Sequence, residues 1–285
     1  VLHRDSASYT TFKVLNTLFM CLIIVTVMIP LLKIIIDSFD GKASETVFRF
    51  FPESFTLDAY KVIISRPVIF RPLIISVVVT IIGSAVAMTI TSLYAYGLSK
   101  KDLPGRKFFM GIALVTMVFR AGMIPLFLVV NQLGLLNTIF PIFLVHAMDA
   151  YYLILLKNFF EGIPSSIFDA AEIDGCTPFQ TFVRVVLPLS KPGLAAIGLF
   201  YIVFFWNQFF DYILYIQTKP HLHNFQVFLR SLVIETDTQG FEGFSFATQS
   251  LKNAAITVSI IPVLILYPFV QKHFVKGINL GGVKG

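Results

Sequence analysis

Residues 168–188 read FDAAEIDGCTPFQTFVRVVLP and interrupt a chain that is otherwise strongly apolar. Ser166 stands three residues ahead of Asp169, the spacing of a capping box, and Gly175 falls where a C′ residue ends a helix. A short helix over about 167–174 is predicted. Thr177, Pro178 and Gln180 then mark a second start: Thr as N-cap, Pro at the first helical position, Gln three residues on. Pro188 and Pro192 are expected to stop that helix. Two helices therefore meet at a glycine elbow. A helix resting on a membrane carries Lys and Arg on its polar face, whereas this one carries Asp169, Glu172 and Asp174, which anionic lipid repels. With Ala170 and Ala171 permitting close approach and Ile167, Phe168 and Ile173 supplying apolar surface, the segment reads as a docking knob for another protein. The alternative is a connector that merely lies on the membrane.

The surroundings set the fold class. Of 285 residues, 56% are hydrophobic and 13% charged, against roughly 25% charged in soluble domains, and the mean hydropathy is +0.81. A helical span needs about 20 apolar residues. Six runs qualify: 14–36, 73–98, 108–130, 139–156, 193–216 and 254–275. The alternation of a membrane barrel is missing, and backbone groups in lipid must pair within their own segment, so these runs are read as helices. The expected fold is all-α, a polytopic membrane protein with six transmembrane helices. The first run is too long for a signal-peptide core and lacks a small-residue cleavage pattern after it, so it is expected to stay. Cys21 and Cys176 fall in different segments and are read as neither a disulfide nor a metal site.

Orientation follows from the short loops. The stretch SKKDLPGRK carries Lys100, Lys101, Arg106 and Lys107, whereas NQLGLLNT carries no cation. The first is placed in the cytoplasm and the second outside, which puts both termini in the cytoplasm. The formal net charge of +6 fits this membrane-side bias, and without a basic face outside the loops nucleic acid is excluded as a partner. Two long outward loops remain, about 37–72 and 217–252. The latter contains FQVFLRSLVI, whose spacing predicts a short helix that either covers the outer surface or meets substrate or a partner.

DAAEIDG followed by F-x-x-V-x-L-P resembles the cytoplasmic coupling motif of ABC importer permeases: EAA, three residues, Gly, then a hydrophobic stretch ending in Leu-Pro. The match falls on Asp169, Ala170, Ala171, Asp174, Gly175, Phe182, Leu187 and Pro188, with Asp169 standing where Glu is usual. The closing NLGGVKG resembles the tail of the second permease subunit of maltose-type carbohydrate importers, and AGMIPLFLVVNQLGLLNT and FFWNQFFDYILYI resemble the oligosaccharide importers of that class. The resemblance covers about residues 73–285.

It implies a type I ABC importer permease fold in the bacterial cytoplasmic membrane. An N-terminal segment (1–72) would precede a five-helix core (73–275) that holds the coupling loop (157–192), with a cytoplasmic tail (276–285). It further implies pairing with a second permease in a heterodimer, docking on two ATP-binding cassette subunits, and receipt of sugar from an extracytoplasmic binding protein. Gly281, Gly282 and Lys284 would touch the ATPase. The chain has no G-x-x-x-x-G-K-[ST] loop, so ATP and Mg would be held by the partner ATPase, and no cofactor, metal or catalytic residue is expected here. The substrate it implies is an oligosaccharide, with acidic ones such as alginate fragments compatible with Arg120, Lys219, His221, His223 and Arg230.

Polar groups within the apolar runs are functional candidates. Arg120, His146, Asp149, Trp206, Asn207 and Tyr212 are assigned to the substrate pathway, with Gln208 and Asp211 close by. Against these stand an ion pair or snorkelling for Arg120, an interhelical hydrogen bond for His146 and ordinary aromatic packing for Trp206 and Tyr212. An ion-coupled secondary transporter would also use buried polar groups but leaves the knob unexplained. An intramembrane enzyme lacks H-E-x-x-H and G-x-S-x-G, and a structural assembly subunit would bind partners without ATP-linked transport.

Overall fold

The computed structural model describes residues 7–119, 121–234 and 248–281, and these are mostly helical, with no strand among them beyond one antiparallel bridge between Asp40 and Phe55. The chain divides into two compact units, Val1–Arg66 with Ser231–Ile260 and Pro67–Arg230 with Ile261–Gly285.

The first unit opens with α1 (Ala7–Ser38), which contains the expected run 14–36 and whose apolar window buries nothing within the chain. Beyond its end the chain turns back. Lys33 Nζ reaches Asp37 at 2.5 Å and the carbonyls of Ser44 and Val47 at 3.1 and 2.9 Å. The buried Asp40 carboxylate accepts the backbone N–H groups of Lys42, Glu53 and Ser54, each at 3.0 Å, while Arg49 pairs with Glu53 and lies 3.6 Å from Asp40. Ser38 shares a 2.7 Å hydrogen bond with Tyr60 of α2 (Asp58–Ser65). The expected long loop is therefore an ordered knot closed around one carboxylate.

The second unit is built on α3 (Pro67–Ser99), an unbroken helix of 33 residues that starts six positions before the expected run because Pro67 is pre-set for a first helical turn. After it come α4 (Arg106–Val118), α5 (Met123–Gln132), α6 (Phe140–Leu144) and α7 (Ala150–Glu161). The segment with the glycine elbow follows as α8 (Ser165–Ile173), α9 (Pro178–Thr181), a π turn (Phe182–Val186) and α10 (Leu187–Leu189). Then come α11 (Lys191–Asn207), α12 (Phe210–Tyr215) and a 3-10 turn (Pro220–Leu222), while α13 (Phe225–Ile234) and α14 (Thr248–Gly281) each have part of their length in the first unit. The predicted FQVFLRSLVI helix is α13, and α14 carries helix through the first residues of the expected tail.

Three expected runs are not continuous helices. The run 108–130 is divided between α4 and α5, 139–156 between α6 and α7, and 193–216 between α11 and α12. The physical reason is local: Gly122, Asp149 and Gln208 take extended backbone angles (ψ of 163, 129 and 126°) in mid-run. Apolar counting cannot register one such residue. Among the described residues, Tyr9–Ser38, Pro67–Ser99 and Thr248–Ile265 are long and apolar enough to cross a membrane. The total rises to five if two bent pairs, α4 with α5 (118°) and 178–189 with α11 (85°), each count as one span.

Aromatic and aliphatic layers hold α3 against α7 and α11. Ala87, Ile197, Tyr201 and Phe205 form one layer, and Ala95, Leu98, Leu153, Leu156 and Phe160 belong to another. Gly193 marks the tightest approach, since a Cβ there would sit 2.6 Å from the Phe159 ring.

Burial pushes the Asp40 carboxyl up, but the N–H groups of Glu53, Lys42 and Ser54 together with Arg49 outweigh it and hold it below the usual carboxylate range. A depressed folded value stabilises the knot at every pH above the unfolded carboxylate range, near 4, and the contribution is lost as pH falls through the lower folded value. Hydrogen exchange of the Glu53 and Ser54 amides is therefore expected to stay slow from pH 7 to about 4 and, after correction for intrinsic rates, to accelerate only below that. Asp40→Asn should exchange faster across the whole range.

Candidate functional site

The elbow segment is built from local rules. Gly175 adopts φ +74°, and around it the Cys176 N–H donates to the Ala171 carbonyl and the Gly175 N–H to Glu172, both at 2.9 Å. This is a Schellman motif, which closes α8 and satisfies its last carbonyls. Thr177 then caps α9: its hydroxyl accepts the Gln180 N–H at 3.3 Å and Gln180 Oε1 accepts the Thr177 N–H at 2.9 Å. Two expectations are corrected. Ser166 makes no capping box; α8 starts at Ser165 because the Pro164 carbonyl already accepts the Ile167 N–H at 3.1 Å, and Pro164 sacrifices no donor there. Pro188 does not stop the second helix either. The π turn before it carries the ladder from the Leu187 N–H to the Phe182 carbonyl, so the helix passes the missing donor and ends at Ser190, while Pro192 lies in the first turn of α11.

Within this segment the motif residues divide into two sets. Asp169, Ala170, Glu172, Asp174, Gly175 and Pro188 are exposed, and Ile173 shows 87% of its surface. Ala171 and Phe182 are buried and Leu187 is half-buried, fixing the knob to its base. Tyr96, in the last turn of α3, packs its ring at a tilt against Phe182 with centroids 5.0 Å apart and donates its hydroxyl to the Pro178 carbonyl at 3.0 Å. Lys100 Nζ lies 4.0 Å from the Phe168 ring centroid and 5.0 Å from that of Tyr96. Burial lowers the Lys100 pKa from its ordinary value, against Glu172 and Asp102, which raise it. Arg106 and Lys157 converge on Glu161, each at 2.7 Å, to tie α4 and α7 together beneath.

A second group of polar residues lies at the helix breaks. His146, between α6 and α7, has Nε2 2.6 Å from Asp211 Oδ2 on α12 and meets Phe204 edge-on. Asp149 caps α7, accepting the N–H groups of Tyr151 and Tyr152 at 2.9 and 3.2 Å, and its own N–H donates to the Tyr201 hydroxyl at 3.0 Å. That hydroxyl shares a 2.8 Å bond with Thr91. Asn207 turns its amide back to the Val203 carbonyl at 2.9 Å. Tyr212 is fully buried, and its hydroxyl finds no hydrogen-bond partner among the described residues. Trp206 lines an apolar groove of about 580 Å³ between α3, α11 and the part of α14 around Pro262. Thr80 and Ser84, also lining that groove, are buried hydroxyls without hydrogen-bond partners among the described residues.

The structure thus brings His146 to Asp211, places Asp149 one turn away on the capped end of α7, and puts Trp206 and Tyr212 in separate packing environments. Arg120, Gly282 and Lys284 lie outside the described residues, and Gly281 ends α14. Tyr201 and Thr91 escaped sequence reasoning, because a Tyr in an apolar run carries no mark of the hydrogen bonds it will make. His223 is occupied by the Ile216 carbonyl at 2.8 Å, and Arg230 lies over the Phe209 ring. Cys21 and Cys176 are free thiols, and no cluster able to hold a metal occurs among the described residues.

An all-helical chain with interrupted apolar helices, polar side chains gathered at the interruptions and a rigid protruding knob is organised as a membrane transport subunit. No protein-family model matches the chain. The "Polygalacturonan/rhamnogalacturonan transport system permease protein YtcP" of Bacillus subtilis (strain 168) is 46% identical over 266 residues, which is 90% of this chain and 92% of that protein. "Protein LplC" of the same organism is 39% identical over 291 residues, covering 100% of this chain and 98% of that protein. Among solved structures, a bacterial ABC transporter involved in the import of the acidic polysaccharide alginate contains a chain that is 30% identical. It superposes with a TM-score of 0.88, covering 96% of this chain and 100% of that one. The chain belongs to the permease subunits of carbohydrate ABC transport systems.

His146 and Asp211 sit on separate elements and bond only to each other through these atoms, so they should behave as one unit. His146→Ala and Asp211→Ala are each expected to lower thermal stability in detergent by about 1–3 kcal/mol, and the double variant by clearly less than the sum. Additive losses would show that the contact contributes nothing.

Proposed function

We propose that this permease imports acidic oligosaccharides, forming half of a translocation pathway with a second permease. In this reading six helices cross the bacterial cytoplasmic membrane with both termini inside, α4–α5, α6–α7 and α11–α12 each serving as one interrupted span. An extracytoplasmic binding protein delivers the sugar, and two ATP-binding cassette subunits bind ATP and Mg and dock on α8. Two relatives support the acidic substrate. One system imports alginate, and the other is named for polygalacturonan and rhamnogalacturonan, which by their chemistry are uronic-acid polymers. The observation that carries the coupling role is the knob itself, where two capped helices fix a nearly bare Ile173 between Glu172 and Asp174. A solvent-facing isoleucine ringed by carboxylates fits a protein partner and suits neither water nor anionic lipid.

Movement would pass in the other direction from sugar. Closure of the ATPase pair displaces α8 as a rigid body, and the base to which Ala171, Phe168 and Phe182 fasten it carries the displacement into α3, α4 and α7. The interrupted helices then change which end of the pathway is open.

Gly175→Leu tests the coupling role. Nothing lies within 4 Å of a Cβ at Gly175, and the penalty counted on is the left-handed backbone angle, about 1–2 kcal/mol. It is expected to insert normally, to abolish uptake and to weaken co-purification of the ATPase. Normal uptake would remove the coupling assignment.

The substrate is tested with the purified complex in lipid. ATP hydrolysis is measured while neutral and acidic oligosaccharides are offered on the cognate binding protein, and acidic members are expected to stimulate. Stimulation by neutral sugars alone would overturn the substrate class. Hydrolysis indifferent to every loaded binding protein would overturn the import cycle.

A further inference from the structure

We infer that Tyr96 and Lys100 form a clasp at the end of α3 that holds both limbs of the glycine elbow and makes α8 and α3 move together; the inference rests on the coupling role proposed for α8. Tyr96 lies in the last turn of α3 and Lys100 is the first residue past its end, and the Lys100 ammonium lies 5.0 Å from the Tyr96 ring centroid, so the two share one face of the helix end. From that face Lys100 reaches α8 through the Phe168 ring, and Tyr96 reaches α9 through the Pro178 carbonyl and the Phe182 ring. The contacts fall on opposite sides of Gly175, the point in this segment whose backbone requires a left-handed residue.

The clasp matters because little else fastens α8. Beyond its own end turns, no hydrogen bond or salt bridge among the described residues joins α8 to the rest of its unit; Asp169, Glu172 and Asp174 are exposed, and none has a cation within salt-bridge distance. What remains is the packing of Phe168 and Ala171 and the Lys100 ammonium over the Phe168 ring. Lys100 is half-buried, a setting in which a cation–π contact is stronger than on an open surface. The Glu172 and Asp102 carboxylates both favour the charged form of Lys100.

On the α3 side the connection is stiff. That helix has no break from Pro67 to Ser99, and Ser84 and Thr80, which line the groove beside Trp206, are 16 and 20 residues from Lys100. At 1.5 Å per residue the clasp acts about 25–30 Å from the groove wall. Any tilt imposed on α8 is therefore delivered to that wall through one continuous helix, with Tyr96 and Lys100 as its grip. Both are positioning residues and touch neither sugar nor nucleotide.

The test is the ratio of sugar taken up to ATP hydrolysed by the whole complex in proteoliposomes, for Lys100→Met, Lys100→Arg and Tyr96→Phe, with co-purification of the ATPase measured in parallel. Lys100→Met is expected to retain the ATPase and its hydrolysis while the ratio falls about three- to tenfold, the range a partly buried cation–π contact supplies. Lys100→Arg, which keeps the cation over the ring, should restore it. Tyr96→Phe, which removes only the hydroxyl bond to Pro178, should lower the ratio less. An unchanged ratio in Lys100→Met would overturn the clasp, as would hydrolysis and uptake falling in parallel, the mark of a merely structural role. If no ATPase accompanies the unmodified complex, the coupling role of α8 has failed, a result distinct from failure of the clasp. Should Lys100→Met not assemble, the ratio in Tyr96→Phe decides alone.

Discussion

The structure depends on the rule that a backbone polar group withdrawn from water must find a partner within the protein. Continuous helices obey it without side chains, and α3 does so for 33 residues. The broken runs cannot. Each interruption frees N–H and carbonyl groups, and the side chains nearest the interruptions are the ones that meet them. Asp149 takes the first N–H groups of α7, and Tyr201 takes the N–H of Asp149 itself. Asn137, in a left-handed conformation, accepts the N–H groups of Gln217 and Thr218 at 2.9 and 2.8 Å and donates its own N–H to Tyr215 at 2.7 Å. The fully buried Asn224 donates its amide to the Gln208 carbonyl, at the α11–α12 break, and accepts from Val227. The Ser76 hydroxyl accepts the Phe225 N–H at 2.9 Å. Much of the polarity in these apolar runs therefore completes backbone accounts opened by the breaks.

This changes how intramembrane polar residues are weighed. Charge in an apolar run is costly and so points to function, yet Asp149 Oδ1 is already engaged by two backbone N–H groups as a helix cap. His146 and Asp211 differ. Their bond joins side chain to side chain across two breaks and closes no backbone account, so its energy depends on the relative position of α6 and α12 rather than on either helix being formed. A group of that kind can report movement, whereas a cap cannot give up its bonds without fraying its helix.

What was legible in the sequence follows the range of the interactions. Gly175, Thr177, Pro178 and Gln180 act within five residues of one another, and the elbow they specify is present with its Schellman motif and capping box. The apolar runs were legible because burial in lipid is a property of composition. Ser166 failed because the Pro164 carbonyl, half a turn earlier, started the helix first. The breaks were hidden because one residue with extended ψ leaves the apolar count of an 18-residue run unchanged. The bonds of His146 to Asp211 and of Tyr96 to Pro178 span 65 and 82 residues, and no local pattern encodes a pairing at that distance.

The distribution of breaks carries a mechanical meaning. An unbroken helix resists bending along its whole ladder, so displacement applied at one end appears at the other. A helix interrupted at a residue held by side-chain bonds yields there first, since two or three hydrogen bonds of about 1 kcal/mol each replace a cooperative ladder. Of the helices in the second unit, α3 alone both touches the elbow and continues without interruption past the groove beside Trp206, while α11 meets α12 at a break and α6 meets α7 at another. The knob is thus joined directly to the stiff element and the polar pair to the yielding ones. Such an arrangement suits the coupling proposed above, in which a small rigid displacement of the knob becomes rearrangement at chosen points of the interrupted helices.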